Sequence, residues 1–262
     1  MKLKVNFGLC CAGTFVLVLL CGVGGCRSQQ AVTEAPVEAV PVADLVAQAD
    51  RLYPQREDLA RVREGLGLLR RARSADANNY DVSWRIARLD YYLGAHTKDR
   101  EERDKAFEEG IEAGKRAVAL QDNRPEGHFW LGANHGGVAQ TSLLGGMAAI
   151  DDIREQMNAV LRTDEGYQSG SAYMVLGQVE LEAGRMMGDP EQAVQYLEKG
   201  LKLGPNNALL RLRLAQAYIK VNRKDDARKQ LDAITRLTPD PNYLPEHKEA
   251  VAEARKLLDR GF

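Results

Sequence analysis

The chain has 262 residues, with 36 Lys and Arg against 37 Asp and Glu, for a formal net charge of −1. That length suits one large or two small domains, and the near-even charge supplies neither the basic excess of a nucleic-acid binder nor a polybasic membrane patch. All four cysteines lie at positions 10, 11, 21 and 26, so the rest of the chain has no disulfide, thiolate metal site or cysteine nucleophile.

In chain order, the first element is a targeting segment. Lys2 and Lys4 precede an apolar stretch from Phe7 to Leu20, and two glycines precede Cys26. Positive, apolar and small-residue regions in that order form a secretory signal rather than part of a fold. Val23-Gly24-Gly25-Cys26 resembles a bacterial lipobox, in which the cysteine is acylated and becomes the mature N-terminus. A plain transmembrane anchor competes, since the apolar run is long enough to span a bilayer. The polar sequence directly after Cys26, with no stop-transfer flank, favours the lipoprotein. Residues 1–25 are therefore read as signal and Cys26 as the lipidation site. Removing Lys2 and Lys4 takes the formal charge from −1 to −3, so lipid rather than charge must hold the protein at a membrane. Ser28, with no Asp beside the cysteine, resembles the sorting pattern of outer-membrane lipoproteins facing the periplasm.

Residues 26–42 carry two prolines and scattered small residues, which predicts a flexible tether. From 43 to 262 apolar residues recur every three or four positions and no strand pattern appears, which predicts an all-α domain of about ten or eleven helices. Its organisation is a repeat. Gly204-Pro205-Asn206-Asn207 and Thr238-Pro239-Asp240-Pro241 are helix-ending turns, and Pro205 lies 34 residues before Pro239. Leu214-Ala215, Tyr218, Ala227, Leu231 and Ile234 between them match the tetratricopeptide pattern, with isoleucine replacing the usual alanine at 234. Small residues at 215 and 227 let two antiparallel helices approach, while the large ones fill the groove between pairs. Leu176-Gly177, Leu131-Gly132 and Ile86-Ala87 are looser upstream copies, spaced about 40 to 45 residues apart at their turns.

The segment from Gly132 to Met147 departs from the repeat. Five glycines in it cost a helix about 1 kcal/mol each relative to alanine. Two readings stand: close helix crossing or a kinked connection, or a ligand- or partner-facing segment flanked by Trp130, Tyr167 and Tyr173. On the second reading the candidate binding residues are Trp130, Asn134, His135, Tyr167 and Tyr173. No Gly-Lys-Ser/Thr follows the glycines, which argues against a phosphate loop. His128 and His135 share a helix face without a third ligand, so no metal is expected. Nothing converges as catalytic groups must, and the sequence predicts neither an enzyme nor a cofactor.

Glu126 to Asn134, the glycine-rich segment, Met157 to Leu161, Asp164 to Gly170 and Leu176-Gly177 together resemble the TatT family, the T components associated with tripartite ATP-independent periplasmic (TRAP) transporters. The resemblance spans roughly residues 79 to 237. It implies a periplasm-facing lipoprotein that forms homo-oligomers, described as trimers. It also implies binding of the TRAP solute-binding protein and passage of a small organic ligand through an internal pore or cleft. His135-Gly136-Gly137 and the Asp164-Glu165-Gly166 turn, where a proline is expected, depart from the family pattern. An outer-membrane scaffold for envelope or peptidoglycan assembly proteins is the alternative function.

Overall fold

Helix boundaries follow the caps that the sequence supplies. The computed structural model describes residues 40–141, 143–183 and 188–261. The signal segment 1–25, Cys26 and the tether to residue 39 lie outside the described residues, as do Ser142, Met186 and Met187. Among the described residues are eleven α-helices, two 3-10 turns and no strand. They are α1 (Val42–Leu52), α2 (Leu59–Ala75), α3 (Tyr80–His96), α4 (Arg100–Leu120), α5 (Pro125–Ala139), α6 (Leu143–Thr163), α7 (Tyr167–Glu182), α8 (Pro190–Leu203), α9 (Ala208–Lys220), α10 (Lys224–Ile234) and α11 (Leu244–Arg260). None is long and apolar enough to cross a membrane.

Asp58, Asn79, Asp99, Asp189 and Asn207 each accept a hydrogen bond from a first-turn backbone N–H, starting α2, α3, α4, α8 and α9. Each such cap stabilises its helix by about 1 kcal/mol. Proline at the first turn of α5 and α8 removes a donor that would have no helical partner there.

Each helix packs on the next, giving five hairpins (α1–α2, α3–α4, α5–α6, α7–α8 and α9–α10) and a closing helix, α11. The first helices of successive hairpins also meet: α3 on α5, α5 on α7, α7 on α9 and α9 on α11. They form the inner layer of the array, and the second helices form the outer one. The residues of the repeat signature sit where the pattern requires. Leu214, Ala215, Ala227, Leu231 and Ile234 have no exposed surface, and each such leucine contributes about 2 kcal/mol of burial.

Among the described residues the apolar interior falls into two clusters. One core joins α1 to α6 with Ala172 and Leu176 of α7. The other joins α8 to α11, with Met174 and Leu181 of α7 packed against it. Helix α7 contributes to both, and Tyr196 of α8 also rests on the first.

Candidate functional site

In a solenoid each repeat touches only its neighbours. Here the last inner helix also reaches the first hairpin. After α1 the chain makes one 3-10 turn at Tyr53–Gln55, leaving Arg56 only 1 % exposed. Its guanidinium forms a two-pronged pair with Glu246 at the start of α11, Nε to Oε1 at 3.0 Å and Nη2 to Oε2 at 2.5 Å. Nη2 also donates to the Asn242 carbonyl at 2.8 Å and Nη1 to the Tyr53 carbonyl at 3.2 Å. Beside this pair, Lys248 reaches Glu57 at 2.8 Å on the surface. These contacts bring the two ends of the array together.

Helix α3 supplies a cluster of aromatic and cationic side chains beside this junction. Arg88 lies 3.8 Å over the Tyr53 ring and 4.9 Å from that of Trp84. Its Nη2 donates to Asp50 at 2.9 Å, while its buried Nε has no partner. Arg85 holds the same Asp50 carboxylate through Nε, at 3.0 and 2.9 Å. Tyr91, three residues along from Arg88, remains half-buried. Burial pushes its phenol above the ordinary range; Arg213 opposes this, and Glu249, Glu246 and Glu182 add to it. Those charges come from α9, α11 and α7, three further helices of the inner layer.

Helix α5 and the start of α7 complete this corner. Trp130 is 6 % exposed, with its ring 5.8 Å from Tyr91 and edge-on to Phe129 at 5.0 Å. Its buried indole N–H has no hydrogen bond of proper geometry. Phe129 packs edge-on against Tyr167 at 5.3 Å. Burial drives the Tyr167 phenol well above its ordinary range, the Gln168 amide and Arg88 opposing. Tyr167 is aimed by an unusual turn: Gln168, Ser169 and Gly170 all have left-handed backbone, with φ of 46°, 57° and 76°. For glutamine and serine that conformation costs about 1–2 kcal/mol each. Close packing holds it in place. A Cβ at Gly204 would lie 2.1 Å from the Ser169 carbonyl oxygen, and one at Gly170 would lie 2.6 Å from that of Gly200.

The five candidate binding residues therefore separate. Trp130 and Tyr167 share the aromatic corner through Phe129. Asn134 is fully buried on α5, where its Nδ2 donates to the carbonyls of Ala87 at 2.9 Å and Trp130 at 2.7 Å. It fills the space left by Gly110, where a Cβ would lie 2.1 Å from Oδ1. His135 faces Asp152 of α6 at 3.5 Å, and burial lowers its pKa against the pull of that carboxylate. Tyr173 donates to Glu165 and rests near Tyr196; the Glu165 bond, with burial, raises its phenol to about 12. Within α5, Gly132 abuts Met157 and Gly137 abuts Phe107, as close helix crossing requires, whereas Gly136 has open space. His128 is held by Gln156 and the Asp122 carbonyl. Among the described residues no three acidic, His or Cys side chains gather as a metal site.

Sequence reasoning passed over Tyr53, Arg56, Arg88 and Glu246. Arg88 carried a signal, lying four residues after Trp84 and three before Tyr91 on one helix face. Arg56 carried none, because its partner is 190 residues away.

Comparison with known proteins agrees with the helical-hairpin architecture. Residues 184–245 match the tetratricopeptide repeat model, and residues 45–158 match the model described as regulator of microtubule dynamics protein 1-3. No curated protein matches the chain. The crystal structure of a thermophilic TPR protein from Thermus thermophilus superposes with a TM-score of 0.61 at 19 % identity, covering 80 % of this chain and 99 % of that one. The PilF structure of Pseudomonas aeruginosa superposes with a TM-score of 0.55 at 17 % identity, over 84 % of this chain and 92 % of that one. At such identities the likeness is one of fold.

Proposed function

We propose that this chain, a helical-repeat protein of the tetratricopeptide type, is the lipid-anchored accessory T component of a TRAP transport system. It binds the periplasmic solute-binding protein, and its interior accepts the small organic ligand that the partner carries. Cys26 anchors it to the outer membrane on the periplasmic side, and copies of the chain associate as a homo-oligomer.

The observation that supports this reading is the joining of the first hairpin to α11 through Arg56, Glu246 and Asn242, beside a cluster of aromatic and cationic side chains. Tetratricopeptide arrays serve protein–protein recognition, usually along an open concave face. A scaffold for envelope assembly proteins would need that face free. Joined ends narrow that face, and the aromatic and cationic cluster beside them suits a small organic molecule, leaving the outer layer and the rims for the protein partner. Trp130 and Tyr167 are the candidate lining residues, joined by Tyr91 and Arg88. The test is co-purification of the full chain with the TRAP solute-binding protein of the same cell. Loss of ligand transfer in Trp130→Ala with partner binding intact supports the interior as the ligand path. Repeated recovery of cell-wall or envelope-assembly proteins alone overturns the proposal.

A further inference from the structure

We infer that the Arg56–Glu246 pair is a releasable clasp, and that parting it swings the α8–α11 half away from the α1–α6 half to open the interior. The inference rests on the aromatic corner of the inner layer being the functional site, and it adds the regulation of that site.

Three observations carry it. First, among the described residues the apolar core falls into two clusters, to both of which α7 contributes, with Tyr196 of α8 also resting on the first. Two clusters joined mainly through one helical hairpin can rotate about it with little loss of their own packing. Second, the contacts that close the far side are polar. Arg56 joins Glu246 and the Asn242 carbonyl, and Lys248 joins Glu57. An apolar pair of similar volume would hold such a seam at least as firmly as a buried ion pair. Charges, unlike an apolar seam, are readily rehydrated when the ends part. Third, the chain leading to Glu246 is built to move with α11. Pro239, Pro241 and Pro245 punctuate it, it holds only a short 3-10 turn at Pro241–Tyr243, and Tyr243 and Leu244 stay exposed on the seam.

Opening at this seam gives access to a particular set of groups. Tyr53, which stacks on Arg56 at 4.5 Å, also stacks on Arg88 at 3.8 Å. Arg88 in turn stands one helical turn from Tyr91, whose phenol senses Glu246 and Glu249 of α11. The clasp and the aromatic corner thus share residues, and release of Glu246 changes the surroundings of both.

The chain's only tryptophans are Trp84 and Trp130, and both belong to this wall. Their fluorescence therefore reports on the interior without a label. The experiment compares the full chain with Glu246→Gln, which leaves Arg56 buried without a counter-charge, and with Arg56→Met/Glu246→Leu, which replaces the pair by apolar groups. Backbone hydrogen exchange in residues 244–260 and acrylamide quenching of tryptophan are measured on each. In Glu246→Gln, exchange in this segment accelerates by at least about tenfold, since orphaning one member of a buried pair shifts a local equilibrium that far. Quenching rises with it, and the double substitution reverses both changes. If helix content falls in Glu246→Gln, then Lys248→Glu, which opposes two carboxylates on the exposed part of the seam, serves in its place and shifts both readouts the same way. Unchanged exchange in 244–260 overturns the clasp. Faster exchange without increased quenching overturns its control of the interior. Neither readout involves a solute-binding protein, so failure here is separable from failure of the proposed function.

Discussion

Asp90→Asn makes the fold more stable at alkaline pH and less dependent on pH. Asp90 lies on α3 with no exposed surface, and neither carboxylate oxygen has a hydrogen bond. The nearest cation, Arg70, stands 3.6 Å away and is shared with Glu109. Burial pushes the Asp90 carboxyl up to about 8 from 3.8; Arg70 opposes the shift and Glu109 adds to it. Below the unfolded value both states hold the proton and nothing is lost. Between 3.8 and about 8 the unfolded chain gives up the proton while the folded one keeps it. Stability therefore falls as pH rises, by about 1.4 kcal/mol per unit, until the folded group also ionises. At pH 7 the upper figure is about 4 kcal/mol, and relaxation around the charge brings the expected loss to about 2 kcal/mol. Asparagine has the same shape and no charge. Urea unfolding at a series of pH values reads the difference directly. Asp90→Asn is expected to gain about 2 kcal/mol over the parent near pH 8, with the gain shrinking towards zero near pH 4. A difference constant across that range, or a substitution that destabilises at every pH, refutes the reasoning.

Other consequences follow from packing and anchoring. Gly110→Ala places a Cβ 2.1 Å from Asn134 Oδ1, so thermal unfolding should show a loss of about 2–3 kcal/mol from overpacking α4 against α5. Asn207→Ala removes the bond from the Leu210 N–H that caps α9, and a loss of about 1 kcal/mol is expected in denaturant titration. Cys26→Ala should abolish incorporation of labelled fatty acid into the protein in cells, because Cys26 is the residue read as the acylation site.

The local devices of this fold were legible because they are local. Asn79, Asp189-Pro190 and Asn207 cap their helices through bonds spanning two or three residues, and such signals survive in the bare sequence. Leu214-Ala215 and Ala227 were equally readable, since a fixed repeat spacing announces which faces must meet. Glycine was harder. Gly132 and Gly137 admit Met157 and Phe107, while Gly136 borders open space, and composition alone does not separate these cases. The left-handed turn at 168–170 was hidden for another reason: two of its residues are ordinary L side chains, held there by Gly200 of α8 and Gly204 just after it. The site was legible only in part. Trp130 and Tyr167 do meet around Phe129, but Asn134 is committed to the packing of α3, α4 and α5. The closing pair of Arg56 and Glu246 depends on the curvature accumulated over five hairpins, and no spacing rule reports that sum.

Partner binding is read by titration calorimetry of the full chain in detergent against the purified TRAP solute-binding protein. Saturable binding with a Kd of about 10 μM or tighter is expected, matched by a co-migrating peak in size-exclusion chromatography. No heat and no shared peak with both proteins at about 100 μM would contradict it.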